Sequence, residues 1–219
     1  VTPVDVLAIG AHPDDVEIAV GGLIHKLGHD GCTVAILDLT RGELASRGSI
    51  EERRLEALEA ARILGVPHRE NADLPDGGLE NTTEQQSTVI PFIRRFRPKI
   101  LLAPMLKDRH PDHEAAHSLV HAANYFSGLA QLDTGQEPYR APIVYCYHVY
   151  EETRIPELVV DISDHLEAKL EALKAYKSQL YNPEYTGPST YVASREFWEF
   201  LRRKAAYWGG RIGVAAGEP

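Results

Sequence analysis

The chain has 219 residues, of which 43% are hydrophobic and 25% charged, and a net charge of −9. These values predict one soluble globular domain over 1–219 and exclude a disordered or fibrous chain. The acidic balance argues against nucleic-acid or anionic-membrane partners, and no apolar run approaches the ~18 residues of a membrane span.

Residues 4–10 read as a buried strand, cut off by His12-Pro13-Asp14-Asp15. No basic leader or cleavage site accompanies it, so no signal peptide is expected. A helix is predicted over 18–29, ending at Gly31, then a strand over 33–39. Ser49-Ile50-Glu51-Glu52 is a capping box for a helix that runs to about 64 and stops at Gly65. A short strand follows at 68–72. Thr82-Thr83-Glu84-Gln85 reads as a second capping box, for a helix to about 96 that Pro98 breaks. A strand is predicted over 99–104, and Asp112 is expected to cap a helix reaching about 126. Later strands are predicted at 143–149 and 158–161, and late helices at 163–178 and 194–207. Segments 128–142 and 181–194 read as long loops. This alternation predicts an α/β fold, a mostly parallel sheet with helices on both faces. Two basic clusters, Arg94-Arg95-Phe96-Arg97-Pro98-Lys99 and Arg202-Arg203-Lys204, read as solvated helix faces. Cys32 and Cys146 form no CxxC pair and read as free thiols in a reducing cytoplasm.

Two motifs sit just past strand ends. Gly10-Ala11-His12-Pro13-Asp14-Asp15-Val16-Glu17 follows the first strand, and Asp108-Arg109-His110-Pro111-Asp112-His113 follows the strand at 99–104. In an open doubly wound sheet, ligands bind beyond the carboxyl ends of the strands, where strand order reverses. A 3-2-1-4 order would make the first and fourth strands neighbours and set both motifs on one crevice. His12, Asp15 and His113 form a His₂-carboxylate set suited to Zn2+ with a position left for water. Fe2+ suits the same donors. Asp14 can take a proton from that water, whose pKa the metal lowers toward about 7. His110 can donate to a developing oxyanion, and Asp112 can orient and charge its imidazole. His25, His29, His68, His121 and His165 read as surface or helix-face residues, and His148 could approach the crevice.

His113-Glu114-Ala115-Ala116-His117 also matches H-E-x-x-H, the zinc-protease helix with Glu114 as base. That reading leaves His12-Pro13-Asp14-Asp15 without a role. It also has no evident third ligand, although Glu137, Glu151 and Glu152 are available. A sugar-binding module that kept the metal is a non-catalytic alternative, opposed by the intact Asp14 and His110. The glycines of a dinucleotide fingerprint, a P-loop and a G-x-S-x-G elbow are all missing.

The runs Ala11 to Glu17 and His110 to His113 resemble the two signatures of the LmbE-like, or PIG-L, family of zinc-dependent N-acetylglucosaminide deacetylases. The resemblance covers nearly the whole chain and is closest to the bacillithiol-biosynthesis branch. Its carriers there are Leu39-Thr40-Arg41-Gly42-Glu43, Leu74-Pro75-Asp76-Gly77-Gly78-Leu79 and Tyr176-Lys177-Ser178-Gln179. The ending, Tyr207-Trp208-Gly209-Gly210 and Gly217-Glu218-Pro219, adds to them. The resemblance implies a Rossmann-like fold with His12, Asp15 and His113 as zinc ligands and Asp14 as general base. It implies His110 as oxyanion stabiliser and possible acid, held by Asp112. Arg53 and Arg109 correspond to active-site arginines, although on the sequence alone Arg53 is a helix-surface residue. Glu43 and Asp76 correspond to contacts with sugar hydroxyls. The implied substrate is N-acetylglucosaminyl-malate, with inositol or chito-oligosaccharide conjugates as alternatives. A cytoplasmic enzyme is expected, and the resemblance implies a homo-oligomer, a hexamer built from trimers.

Overall fold

The structure is a computed structural model that describes residues 2–150 and 155–219. Five strands, β1 (Val6–Gly10), β2 (Val34–Thr40), β3 (His68–Leu74), β4 (Ile100–Pro104) and β5 (Ile143–Tyr147), form a parallel sheet in the order β3-β2-β1-β4-β5. β1 and β2 are buried along their whole length, as apolar strands covered on both faces must be. Helices α1 (Asp15–His29), α2 (Ile50–Leu64), α5 (Leu166–Lys174) and α6 (Arg195–Ile212) pack on one face, around Ile24, Leu64, Leu173 and Leu201. Helices α3 (Thr83–Phe96) and α4 (Pro111–Ser127) cover the other, around Ile90, Ile93, Leu119 and Val120.

Val6 pairs with Val34 of β2 on one side and with Ile100 of β4 on the other. The 3-2-1-4 order that would set both motifs on one crevice is therefore present. Strand order reverses between β1 and β4, and the loops leaving these two strands open onto one crevice.

Element ends differ from expectation where a side chain decides them. α1 begins at Asp15 rather than at 18, which sets Asp15 and Glu17 in the first turn, where the helix dipole favours acids. The cap of α4 is His110 rather than Asp112: His110 Nδ1 accepts the Asp112 N–H at 3.2 Å, and Pro111 takes the first helical position. The Ser49 capping box is present. Thr82 caps α3 alone, because the Gln85 side chain turns to Glu80 and Gly78 instead. The strand expected at 158–161 shortens to β6 (Val160–Asp161), which leaves the main sheet and pairs antiparallel with β7 (Gly217–Glu218). Glu218 secures that end: its carboxylate accepts the Gly22 and Leu23 amides at 3.0 and 2.7 Å and pairs with Lys169.

Arg94 corrects the solvated-face reading of its basic cluster. It is 2% exposed, and its guanidinium donates to the Ser127, Leu129 and Leu132 carbonyls. One arginine thereby satisfies carbonyls that a packed loop would otherwise leave unpaired. Arg202 and Arg203 are exposed, as expected, whereas Lys204 is half-buried and donates to the His148 and Val149 carbonyls at 3.3 and 3.4 Å. Among the described residues, no helix is long and apolar enough to cross a membrane.

A buried ion network holds α1 on the sheet. Arg69 of β3 donates from Nε and Nη2 to Asp38 of β2 at 2.8 and 2.9 Å and from Nη1 to Glu17 of α1. Tyr176 Oη donates to the same Glu17 carboxylate at 2.9 Å. Arg69→Ala would strand two buried carboxylates, so it is expected to cost about 3–5 kcal/mol in urea unfolding. A loss below about 1 kcal/mol, the range of exposed pairs, would show that the network contributes little.

Candidate active site

The first motif depends on an unusual backbone. A Cβ on Gly10 would meet the His12 carbonyl oxygen and Val16 Cγ2, each at 3.2 Å, so glycine suits the sharp exit from β1. Asp14 closes the turn at φ +122°, a conformation costing a side-chain-bearing residue about 1–3 kcal/mol. Its carboxylate makes no cap hydrogen bond to α1. It receives Arg53 Nη2 at 3.0 Å instead. Arg53 also donates to the Pro13 carbonyl from Nε and Nη2, at 3.1 and 2.8 Å. The sequence placed Arg53 on a helix surface; it is buried against the site.

His12, Asp15 and His113 converge. His12 Nδ1 lies 3.3 Å from Asp15 Oδ2, and His113 Nε2 lies 3.2 Å from Asp15 Oδ1. His113 is 1% exposed, and neither of its ring nitrogens is aligned for a hydrogen bond. Ring nitrogens of His12, His110 and His113 also lie within 4.8 Å of one another. The donors therefore fit a divalent cation of the His/carboxylate class.

Carboxylates stand behind both histidines. Asp76 Oδ1 and Asp112 Oδ2 face His12 Nε2 at 3.0 and 3.2 Å. Asp108 Oδ1 faces His113 Nδ1 at 3.0 Å. Such partners hold a proton on the outer nitrogen and leave the inner one as ligand. Burial would lower His113, but the Asp15 charge and Asp108 outweigh it and raise His113 to about 9. Burial likewise opposes ionisation of Asp15, yet the two histidines hold it well below its usual range. Burial raises Asp14 to about 7 against the pull of Arg53.

Several expected roles change. The Asp112 carboxylate does not orient His110: it accepts the Gly77 amide at 2.7 Å and faces His12, and only its backbone N–H meets His110. Burial first, then the charges of His12 and His113, lower the His110 pKa, which favours the neutral ring. Glu43 does not reach the cavity; it accepts the Asp76 amide at 2.9 Å and braces that turn. Asp76 lines the cavity but is committed to His12 and the Leu44 amide; against its burial, these hold it at about 2.

The cavity encloses about 360 Å³ and is lined by Asp14, Arg53, Arg109, His110, Gln179 and Tyr191, among others. Arg109 lies between two aromatic rings, 4.3 Å from the Tyr150 centroid and 4.5 Å from that of Tyr191. Sequence reading missed both tyrosines, Gln179 and the partner role of Asp108. The tyrosine-rich composition of 181–194 was the available signal for Tyr191, and the motif Asp108 to His113 the signal for Asp108.

The H-E-x-x-H reading fails on geometry. His117 turns to the Pro104 carbonyl at 3.0 Å and its ring lies tilted against that of His121, away from His113's partners. Glu114 sits with Lys107 and the Asp108 amide. Glu151 and Glu152 lie outside the described residues. His148 lines a different cavity, with His117 and Cys146.

Residues 7–124 match the family described as PIG-L, GlcNAc-PI de-N-acetylase. Diacetylchitobiose deacetylase of Thermococcus kodakarensis is 35% identical over 224 residues, covering 95% of this chain and 79% of the relative. A 1D-myo-inositol 2-acetamido-2-deoxy-alpha-D-glucopyranoside deacetylase 2 of Saccharopolyspora erythraea is 27% identical, covering 80% and 83%. The crystal structure of a conserved protein from Thermus thermophilus superposes with a TM-score of 0.89 at 36% identity, covering 99% and 93%. A strained Asp-Asp turn after β1, a histidine-rich start to α4 and these likenesses agree: the chain belongs to the PIG-L family of deacetylases.

Proposed function

We propose that the chain is a metal-dependent amidase that removes the acetyl group from an N-acetylglucosamine conjugate. The observation that carries this reading is the convergence of His12, Asp15 and His113 beside the buried Asp14 and the half-buried His110. A divalent cation held by His12, Asp15 and His113, zinc in this reading, would polarise the acetamide carbonyl and lower the pKa of a water to about 7. Ionised Asp14 accepts the proton that the attacking water loses. It returns that proton to the amine nitrogen as the C–N bond breaks, giving acetate and the free amino sugar. His110 accepts the Asp112 amide on Nδ1, so its neutral ring carries the proton on Nε2. That N–H donates to the carbonyl oxygen as charge develops.

His110→Ala is expected to lower kcat about 10²–10³-fold with little change in KM, since its contact strengthens in the transition state. A large KM change with intact kcat would reassign it to substrate binding. Arg53 opposes the rise in Asp14's pKa, so Arg53→Gln raises that pKa further. The base form is then reached only at higher pH. The acidic limb of the kcat/KM profile is expected to move up by about 1 unit or more, with more activity lost at pH 7 than at pH 9. An unmoved limb would uncouple the two residues.

The conjugate we name is N-acetylglucosaminyl-malate, on the way to bacillithiol. Its support is Arg109, exposed at the cavity rim and held between Tyr150 and Tyr191, where a carboxylate of the aglycone can pair with it. The unpaired Cys32 and Cys146 support a cytoplasmic setting, and a hexamer is expected by light scattering. Amine release from the malate conjugate, the inositol conjugate and diacetylchitobiose tests the reading. Preference for malate supports it in full, and preference for another conjugate keeps the chemistry and discards bacillithiol. Release from none rejects the deacetylase and favours a sugar-binding module.

A further inference from the structure

We propose that His117, His121 and Cys146 form a second metal site for a zinc-class ion, separate from the catalytic centre. His117 and His121 stand one turn apart on α4, so their rings share a face, with centroids 4.3 Å apart. Cys146 reaches them from the edge strand β5. Its Sγ lies 3.6 Å from His121 Nε2 and 3.8 Å from His117 Nδ1. One nitrogen from each ring and the sulfur all lie within 4.8 Å of one another. Zinc's bond lengths set tetrahedral N and S donors about 3.3–3.6 Å apart, close to the separations of Cys146 Sγ from the two rings.

The surroundings favour coordination over a chance cluster. His117 Nδ1 lies 3.0 Å from the Pro104 carbonyl oxygen. A metal-binding histidine characteristically donates its outer N–H to such an oxygen; in this arrangement the same Nδ1 faces Cys146, so binding exchanges the Pro104 contact for the ion or turns the ring to present Nε2. Two imidazoles with one thiolate suit a borderline-soft ion, and three protein donors leave a fourth position open. His117 and Cys146 also line a groove of about 390 Å³ with Met105, Leu106 and Tyr145. Binding exchanges one proton for the ion: the Cys146 S–H bond breaks, a sulfur–metal bond forms and the proton leaves to water. His113 precedes His117 by one turn on the same helix, yet the two histidines have different partners, so the second site is distinct from the first.

The test is a Co2+ titration of the whole metal-free chain, followed by near-ultraviolet absorption. Only a sulfur-containing site gives a thiolate-to-cobalt charge-transfer band, and His12, Asp15 and His113 contain no sulfur. A saturable band is expected at one cobalt per chain beyond the catalytic equivalent. It should be lost in Cys146→Ser and in His121→Ala, kept in His12→Ala, and abolished when stoichiometric Zn2+ displaces the cobalt. His121 is exposed and outside the catalytic cavity, so His121→Ala should deacetylate at the parent rate. Absence of a band at excess cobalt would overturn the proposal. So would a band that survives Cys146→Ser, which would trace to Cys32, or one indifferent to His121→Ala or to zinc.

Discussion

Asp14→Asn is expected to reduce kcat by about 10²–10⁴-fold, the usual worth of a general base, at full metal content. Asparagine keeps the volume and tolerates positive φ better than most residues, so the turn at φ +122° should survive. What it removes is the only carboxylate free to take a proton among the described cavity residues. Asp15 lies between two histidines, and Asp76 is committed to His12 and the Leu44 amide. Metal content by atomic emission, beside turnover, separates the outcomes. Turnover within a few-fold of the parent would remove Asp14 from the chemistry.

His113→Ala and Asp15→Ala are expected to lose the catalytic metal, with affinity falling at least 10–100-fold, the loss seen when even an outer partner is removed. His113 is 1% exposed and flanked by Asp15 and Asp108, so its removal also leaves two buried carboxylates facing each other. Circular dichroism must therefore accompany the metal assay, so that an unfolded variant is not counted as a metal-free one. A Cys146→Ser background keeps the second cluster from contributing. Full retention of one equivalent by both folded variants would reject the His/Asp ligand set.

Much of this was legible along the chain. β1 and β2 are buried on both faces and so read as apolar runs, and the two motifs carry their donors within a few residues of a strand end. The alternation of elements pointed to a parallel sheet but did not fix its strand order; 3-2-1-4 was the order that would set both motifs on one crevice. The rest depends on contacts that local pattern does not encode. A run of arginines looks the same whether solvated or satisfied by loop carbonyls, so Arg94 was misread. Asp112 meets His12, 100 positions away in sequence, and nothing local distinguished that from a partner for His110. Period-2 alternation has no purchase on two-residue strands such as β6 and β7. Helical spacing put His113 and His117 on one side of α4. One turn of rise was still enough to give them different partners, and the protease-like motif dissolved.

In the proposed function, a metal held by His12, Asp15 and His113 supports hydrolysis of an N-acetyl group. The most direct measurement is acetate and amine release from N-acetylglucosaminyl-malate and diacetylchitobiose by the protein as purified, after chelation, and after reloading with one equivalent of zinc. We expect acetate and amine in equal amounts from at least one conjugate, loss of both on chelation, and recovery on reloading. Hydrolysis undiminished by complete metal removal, or no acetate from either conjugate by zinc-loaded protein, would contradict the account.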